Sequence, residues 1–266
     1  MRLRTILALG AIALAGAARA AEPACSAYSG PHTTALVELY TSEGCDTCPP
    51  ADHWLSSLFS RGFRPDQVVP LSLHVDYWDY IGWKDPYGKA EFSTRQRRLA
   101  AMRRPAIVYT PQVLLQGQDF RRWGGDDFTE EVSRINSRAA RARIALVIRA
   151  VEPNAIQADL SAMLFEPAAQ KSAAVYLAAY ENRLASEVKA GENRGRRLEH
   201  DFVVREWVGP LAFGDGLKLE ESRSLPLLPG ADRRNLGVAA FVQNRSTGEV
   251  LQALMLPACA KEPKAP

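Results

Sequence analysis

The sequence predicts an α/β unit followed by a mostly antiparallel β unit, and three observations carry that expectation. Between Thr34 and Ile135, apolar runs of strand length alternate with segments of helical periodicity in the order β-α-β-α-β-β-α. A Cys-x-x-Cys, Cys45-Asp46-Thr47-Cys48, sits where the first of these strands gives way to the first helix. After about Arg141 the pattern changes to period-two runs separated by polar turns, which suggest an antiparallel β-sandwich. The 266 residues therefore divide into a leader (1–20), an α/β domain (21–140) and a β-rich domain (141–266).

The leader is recognised by Arg2 and Arg4, the apolar run Ile6–Ala15 and the small-x-small step Ala18-Arg19-Ala20. This is the pattern of a cleaved secretory signal and is too short for a membrane span, so a periplasmic or secreted product with no stable membrane anchor is expected. Its removal takes away Arg2, Arg4 and Arg19 and no acid, which lowers the formal charge from +3 to about zero. A near-neutral chain with 24% charged residues gives no reason to expect nucleic acid as a partner. Export also permits stable disulfides. The four cysteines allow three pairings. If Cys45 pairs with Cys48, Cys25 and Cys259 are left near the two ends of the mature chain, and a structural bond between them is preferred over two free thiols.

In chain order, Ala35–Tyr40 is a buried strand, and Ala51, Trp54, Leu55, Leu58 and Phe59 follow at helical spacing. Pro49 and Pro50 fit only the first turn of that helix, where backbone N–H groups have no helical acceptor. Gln67–Val75 is a second strand. Ser93-Thr94 is expected to cap a helix running through Met102, whose Arg95, Arg97, Arg98, Arg103 and Arg104 form a solvated basic face. Val113–Gln116 and Asp119–Trp123 form a hairpin around Gly117-Gln118, and Asp126-Asp127 caps a last helix. Strands are then expected at Ile144–Val151, Ile156–Met163, Ala174–Tyr180, Phe202–Trp207, Leu217–Leu225, Gly237–Val242 and Glu249–Leu256. The charged stretch Glu192–Asp201 between them reads as a solvated loop or edge hairpin.

The element order, with Pro111 directly before the third strand of the first half, is that of the thioredoxin fold. That resemblance implies a cis Pro111 facing the two cysteines, with the backbone of Thr110 free to pair with an extended substrate. It also implies a buried acid in the strand before the cysteines, and Glu38 stands there behind a loop one residue longer. The competing reading of Glu38 is an edge-exposed glutamate, or one paired with an arginine. More closely, the stretches Glu38–Ala51, His74–Pro86, Arg95-Gln96 and Tyr109–Gln112 resemble an uncharacterised family of secreted bacterial proteins with a thioredoxin-like domain. The segment Gly191–Arg196 with Leu198, His200 and Val203–Arg205 resembles the same family. Fold and export are what that resemblance implies.

The chemistry expected is thiol–disulfide exchange, with Cys45 as attacking thiolate at a helix start and Cys48 as buried resolving thiol. Asp46 between them opposes thiolate formation, which argues for moderate oxidising power. Trp78 and Asp76, in the aromatic and acidic stretch after the second strand, are candidate substrate contacts beside Thr110. His74 reads as a satisfied core histidine. The expected partners are a protein or small thiol and a separate redox partner. No cofactor is expected, and no structural zinc, because the four histidines are scattered. Two thiolates suit a soft ion, so a non-enzymatic binding protein handling Cu(I) is the alternative, and a stapling disulfide is the plainest one.

Overall fold

The computed structural model describes residues 25–227 and 229–259, so the leader assigned to residues 1–20 lies outside the described residues. Among the described residues the chain is mostly β-sheet, with three α-helices. In order, the elements are β1 (Cys25–Tyr28), β2 (Ala35–Thr41), α1 (Pro49–Ser57), β3 (Val68–His74), α2 (Ala90–Ala101), β4 (Gln112–Leu115), β5 (Gln118–Asp119) and α3 (Asp126–Asn136). There follow β6 (Ala142–Glu152), β7 (Ala155–Leu164), β8 (Ala173–Glu181), β9 (Leu184–Glu187), β10 (Arg197–His200), β11 (Val203–Ala212), β12 (Lys218–Pro226), β13 (Leu236–Asn244) and β14 (Val250–Pro257).

Eight strands form one mixed sheet in the order β14-β13-β8-β11-β3-β2-β4-β5. Both β2 and β3 are buried along their whole length and pair in parallel, which suits their near-continuous apolar sequences. The sheet runs unbroken from the first half of the chain into the second because β11 joins the edge of β3, in parallel, at Val203 opposite Ser72. Pro70 inside β3 is compatible with this. The Ser72 N–H donates to Phe202, and the nitrogen of Pro70 faces the same side two residues earlier, before β11 arrives to need a donor.

A second, four-stranded sheet, β1-β6-β7-β12, packs over the β8, β13 and β14 side. Period two divides β8 between two cores. Val175, Leu177 and Ala179 meet Ile144, Leu146 and Leu160 of the smaller sheet, while Tyr176, Ala178 and Tyr180 belong to the core shared with the helices. The outer edge, β12, carries Lys218, Glu220, Glu221 and Arg223, charges that discourage further strand pairing. Cys25 and Cys259 form the expected disulfide, with Cα atoms 5.8 Å apart, and this bond closes the chain end to end.

Several boundaries differ from the sequence expectation. Helix α2 begins at Ala90, not at Ser93-Thr94. Ser93 is buried inside it and its hydroxyl bonds the Asp76 carboxylate and accepts the Asp76 N–H. The return strand β5 stops at Asp119. Its turn is made by Gln116 and Gly117, both at positive φ, and the Gln116 side chain holds that conformation by accepting the Leu36 N–H. The α3 cap is Gly125, with Asp126 and Asp127 in the first turn. The Arg95 end of the supposed basic face is buried, for reasons given below.

Candidate active site

The segment Ser42–Cys48 leaves the C-terminal end of β2 and closes on itself through the Cys45–Cys48 disulfide, with Cα atoms 5.5 Å apart. Cys48 is the residue that caps α1, and Pro49 and Pro50 fill the first helical positions as expected. The dipole at this helix start favours negative charge on a nearby sulfur once the bond is reduced. Pro111 precedes β4, whose Gln112 pairs with Tyr40, so it lies beside the point where the cysteine loop departs. The Thr110–Pro111 peptide is cis. Trp78 links the two segments. Its indole N–H donates to the Thr110 hydroxyl at 2.7 Å, and its Cβ would lie 3.0 Å from a Cβ added to Gly44, so a side chain there would require the neighbours to shift slightly.

Both sulfur-bearing residues are buried, Cys45 at 1% exposure and Cys48 at 0%, while Asp46 and Thr47 form an exposed tip above them. Cys45, the expected attacking thiolate, is therefore as well covered as Cys48. The cover comes from the far half of the chain, where the β9–β10 hairpin folds over the loop. Asn193 at its tip is fully buried, and its side-chain amide donates to the carbonyls of Glu43 (2.9 Å) and Cys45 (2.8 Å). Glu192 accepts the Asp46 N–H at 3.1 Å. The stretch expected to be a solvated loop or an edge hairpin is thus part of a hairpin, and its tip is not solvated but bonded to the cysteine loop.

Glu38 has a different set of partners from those of a free buried acid. Its carboxylate receives two bonds from Arg95, at 2.6 and 3.1 Å, and one from the Tyr40 hydroxyl at 3.3 Å. Arg95 is sandwiched among Tyr176, Trp207 and Phe241, 4.9 to 5.1 Å from their ring centres, and also donates to Gln243. Burial alone would lower the Arg95 pKa, yet Glu38 beside it holds it above its ordinary value. The guanidinium is thereby kept charged while it joins α2 to β8, β11 and β13. Asp76 is half-buried and engaged with Ser93.

Beneath the cysteine loop lies a buried cluster the sequence reading did not assemble. The Glu43 carboxylate takes the Trp83 indole N–H at 2.8 Å and shares a hydrogen bond with His200 Nε2 at 3.1 Å. Its backbone N–H donates to Asp85, which also contacts His74 Nδ1 at 2.8 Å. Burial by itself would raise Asp85, but His74 and the N–H groups of Glu43 and Tyr87 hold it below the usual carboxylate range. Asp52, one helical turn after Cys48, accepts from the Thr41 hydroxyl at 3.2 Å and lies 3.9 Å from His200 Nδ1. Burial pushes Asp52 up to about 7, against His200 and Thr41, which lower it. Asp52 Oδ1, His74 Nε2 and His200 Nδ1 have no hydrogen-bond partner among the described residues. Within those residues, no group of three or more His, Cys, Asp and Glu side chains is arranged to hold a metal ion. The sequence did hold one signal for Asp52, an acid on the same helical face as Cys48 and next to Ala51. His200 and Asn193 are brought in only by the sheet extension.

Fold and site together define a mostly β-sheet protein with a few helices, whose covered Cys-x-x-Cys disulfide lies at a helix start. The chain belongs to the family of proteins of unknown function DUF1223, which is matched over residues 36–243. No curated protein matches it. Among solved structures it is similar to a structural-genomics protein from Agrobacterium tumefaciens, at 21% identity and a TM-score of 0.58, covering 89% of this chain and all of that one. It is also similar to HBP35 of Porphyromonas gingivalis, at 14% identity and a TM-score of 0.66, over 90% of this chain and 79% of that one. At these identities the likeness speaks for the fold alone. No helix among the described residues is long and apolar enough to cross a membrane.

Proposed function

We propose that the protein is an exported thiol–disulfide oxidoreductase with a thioredoxin-like domain, working through Cys45 and Cys48. The observation that carries this reading is the short-loop disulfide at the capping position of α1, beside the Thr110–Pro111 step. The leader pattern and the second disulfide, Cys25–Cys259, support a periplasmic or extracellular setting. In the reduced protein, the Cys45 thiolate attacks a substrate disulfide, breaking it, forming a mixed disulfide and releasing one substrate thiolate. The Cys48 sulfur then attacks Cys45, restoring the internal bond and releasing the second thiolate, and the reverse sequence oxidises a dithiol. Because Cys45 is covered, the span carrying Glu192 and Asn193 must lift for a protein substrate to enter.

The burial of Cys45 also supports a second reading, in which the bond staples the loop. The two are separated by equilibrating the protein in glutathione buffers and assaying disulfide exchange, with Cys45→Ser as control. Turnover that is lost in the variant supports the enzyme. A pair that stays oxidised at the poise of the glutathione pool, with no exchange, leaves the staple. Tight Cu(I) binding lost in the same variant would instead favour metal handling.

A further inference from the structure

We infer that the open cavity framed by Arg103, Arg138 and Arg141, at the far end of β2 from the cysteines, binds a phosphate-bearing small molecule. This second site is independent of the redox reading. The cavity measures about 240 Å³, many times the roughly 10–15 Å³ that admits one water, so it has room for an organic group beyond the anion itself. Gln116 fixes its place in the fold. The Gln116 side chain accepts the Leu36 N–H and donates to the Val250 carbonyl, which anchors one wall to the start of β2. The cysteine loop leaves after Thr41, roughly 15–20 Å further along that strand.

The basic stretch that runs along α2 ends at this cavity. Arg95 is buried against Glu38 and Arg98 donates to the Tyr176 hydroxyl, whereas the exposed Arg103 makes a single side-chain bond, to the Thr247 carbonyl at 3.3 Å. Arg138 stands just past α3 and is also exposed. Each follows a helix C-terminus, whose dipole favours a cation there and leaves the guanidinium N–H groups free to donate. Arg141 differs, because it is ion-paired with both Glu166 and Glu249 at 2.8 Å. Arg103 and Arg138 have no carboxylate partner among the described residues.

The three arginines set against Glu166 and Glu249 leave the cavity one charge positive, and its uncompensated guanidiniums come from two different segments. An anion between them offsets their mutual repulsion. Two neutral donors share the lining. Gln118 comes from β5, and the Thr247 hydroxyl comes from the β13–β14 turn, where its oxygen already accepts the Glu249 N–H and its own proton is left to donate. A carboxylate is planar, and one guanidinium fork satisfies it. A phosphate presents oxygens in several directions and takes donors from several walls at once. Donors carried by the ends of α2 and α3, by β5 and by the β13–β14 turn therefore match a phosphate better than a carboxylate.

The test is calorimetric titration of the protein at low salt with glycerol 3-phosphate and, separately, with malate, a dicarboxylate of similar charge. A parallel arm measures binding to phosphatidylcholine vesicles with and without phosphatidic acid, which carries the same phosphate on a lipid. Glycerol 3-phosphate should bind at one site, and malate at least about tenfold more weakly. Arg103→Gln and Arg138→Gln should each weaken binding by about tenfold or more, the loss expected of a charged hydrogen bond. Arg234→Gln removes the same charge from a residue that pairs with Asp232 outside the cavity, and should leave binding within about twofold. Binding only to the phosphatidic acid vesicles, lost in the same two variants, supports the site with a lipid headgroup as the source of the phosphate. Equal weakening in Arg234→Gln overturns the inference, because the attraction is then to net charge and not to a site. Malate that binds as tightly as the ester overturns the choice of phosphate, and a protein that binds neither ester nor vesicle overturns the site outright. If one cavity variant fails to fold, an unchanged affinity in the other overturns it alone.

Discussion

Replacing Asp52 with asparagine keeps its shape and its bond from Thr41 while removing its charge, and the consequence for stability can be worked from its surroundings. The carboxyl is raised from 3.8 to about 7, burial being the main cause. Between those values the folded protein holds a proton that the unfolded chain has lost. The folded state therefore loses stability as pH rises through this window, by about 4 kcal/mol in total at about 1.4 kcal/mol per pH unit. Roughly 3 kcal/mol of this falls between pH 5 and 8. Asp85 acts in the opposite sense. Its lowered pKa confers stability above the usual carboxylate range that is lost only at lower pH, so it leaves this window clear. Urea unfolding with both disulfides intact, at pH 5 and pH 8, measures the effect. Relative to wild type, Asp52→Asn should gain about 3 kcal/mol more at pH 8 than at pH 5. An equal difference at the two pH values would refute the reasoning, because it would mean that the carboxyl titrates alike in the folded and unfolded chains.

Three further outcomes are expected. Glu38→Gln strands the buried Arg95 cation and should cost about 3–5 kcal/mol in urea unfolding, whereas the double change Glu38→Leu with Arg95→Met should cost much less. If single and double variants lose equally, the pair contributes through packing and not through charge. Asn193→Ala leaves two buried carbonyls without their donor, at a cost of about 1–3 kcal/mol, and should quicken reduction of Cys45–Cys48 by dithiothreitol, followed by alkylation. A rate that stays the same or falls would show that the hairpin does not guard the bond. Removing Cys25 and Cys259 together opens a loop spanning 234 residues and should destabilise the fold by about 5 kcal/mol on the chain-entropy scale. A loss under 1 kcal/mol would mean that the sheet already holds the ends together.

Much of the first half was legible because its signals are local. The strands β2 and β3 announce themselves as apolar runs, and Pro49 and Pro50 tolerate only a first helical turn. The pairing of Cys25 with Cys259 followed from the positions of the cysteines along the chain. Other features depend on what a residue meets in space. Arg95 looks like one more surface arginine until Glu38, Gln243 and three aromatic rings close around it from β2, β8, β11 and β13. Ser93 resembles a helix cap, yet it lies inside the helix because Asp76 offers its hydroxyl a stronger partner there. The glycine-punctuated segment around Asn193 looks solvated because its polar groups find no acceptors nearby in sequence.

What the sequence determined alone is the order of the elements from β2 to α3, the Cys-x-x-Cys at a strand-to-helix junction, and most of the period-two strands of the second half, though not β1, β9 and β10. Each follows from backbone propensity and side-chain periodicity, which act over a few residues. Tertiary structure decided that the second half would extend the first half's sheet through β11, and so bring the β9–β10 hairpin over the cysteines. That placement buries Cys45 and sets His200 beside Asp52, 148 residues away in sequence. Burial and electrostatic coupling between such distant groups depend on their separation in space, and no pattern along the chain encodes that separation.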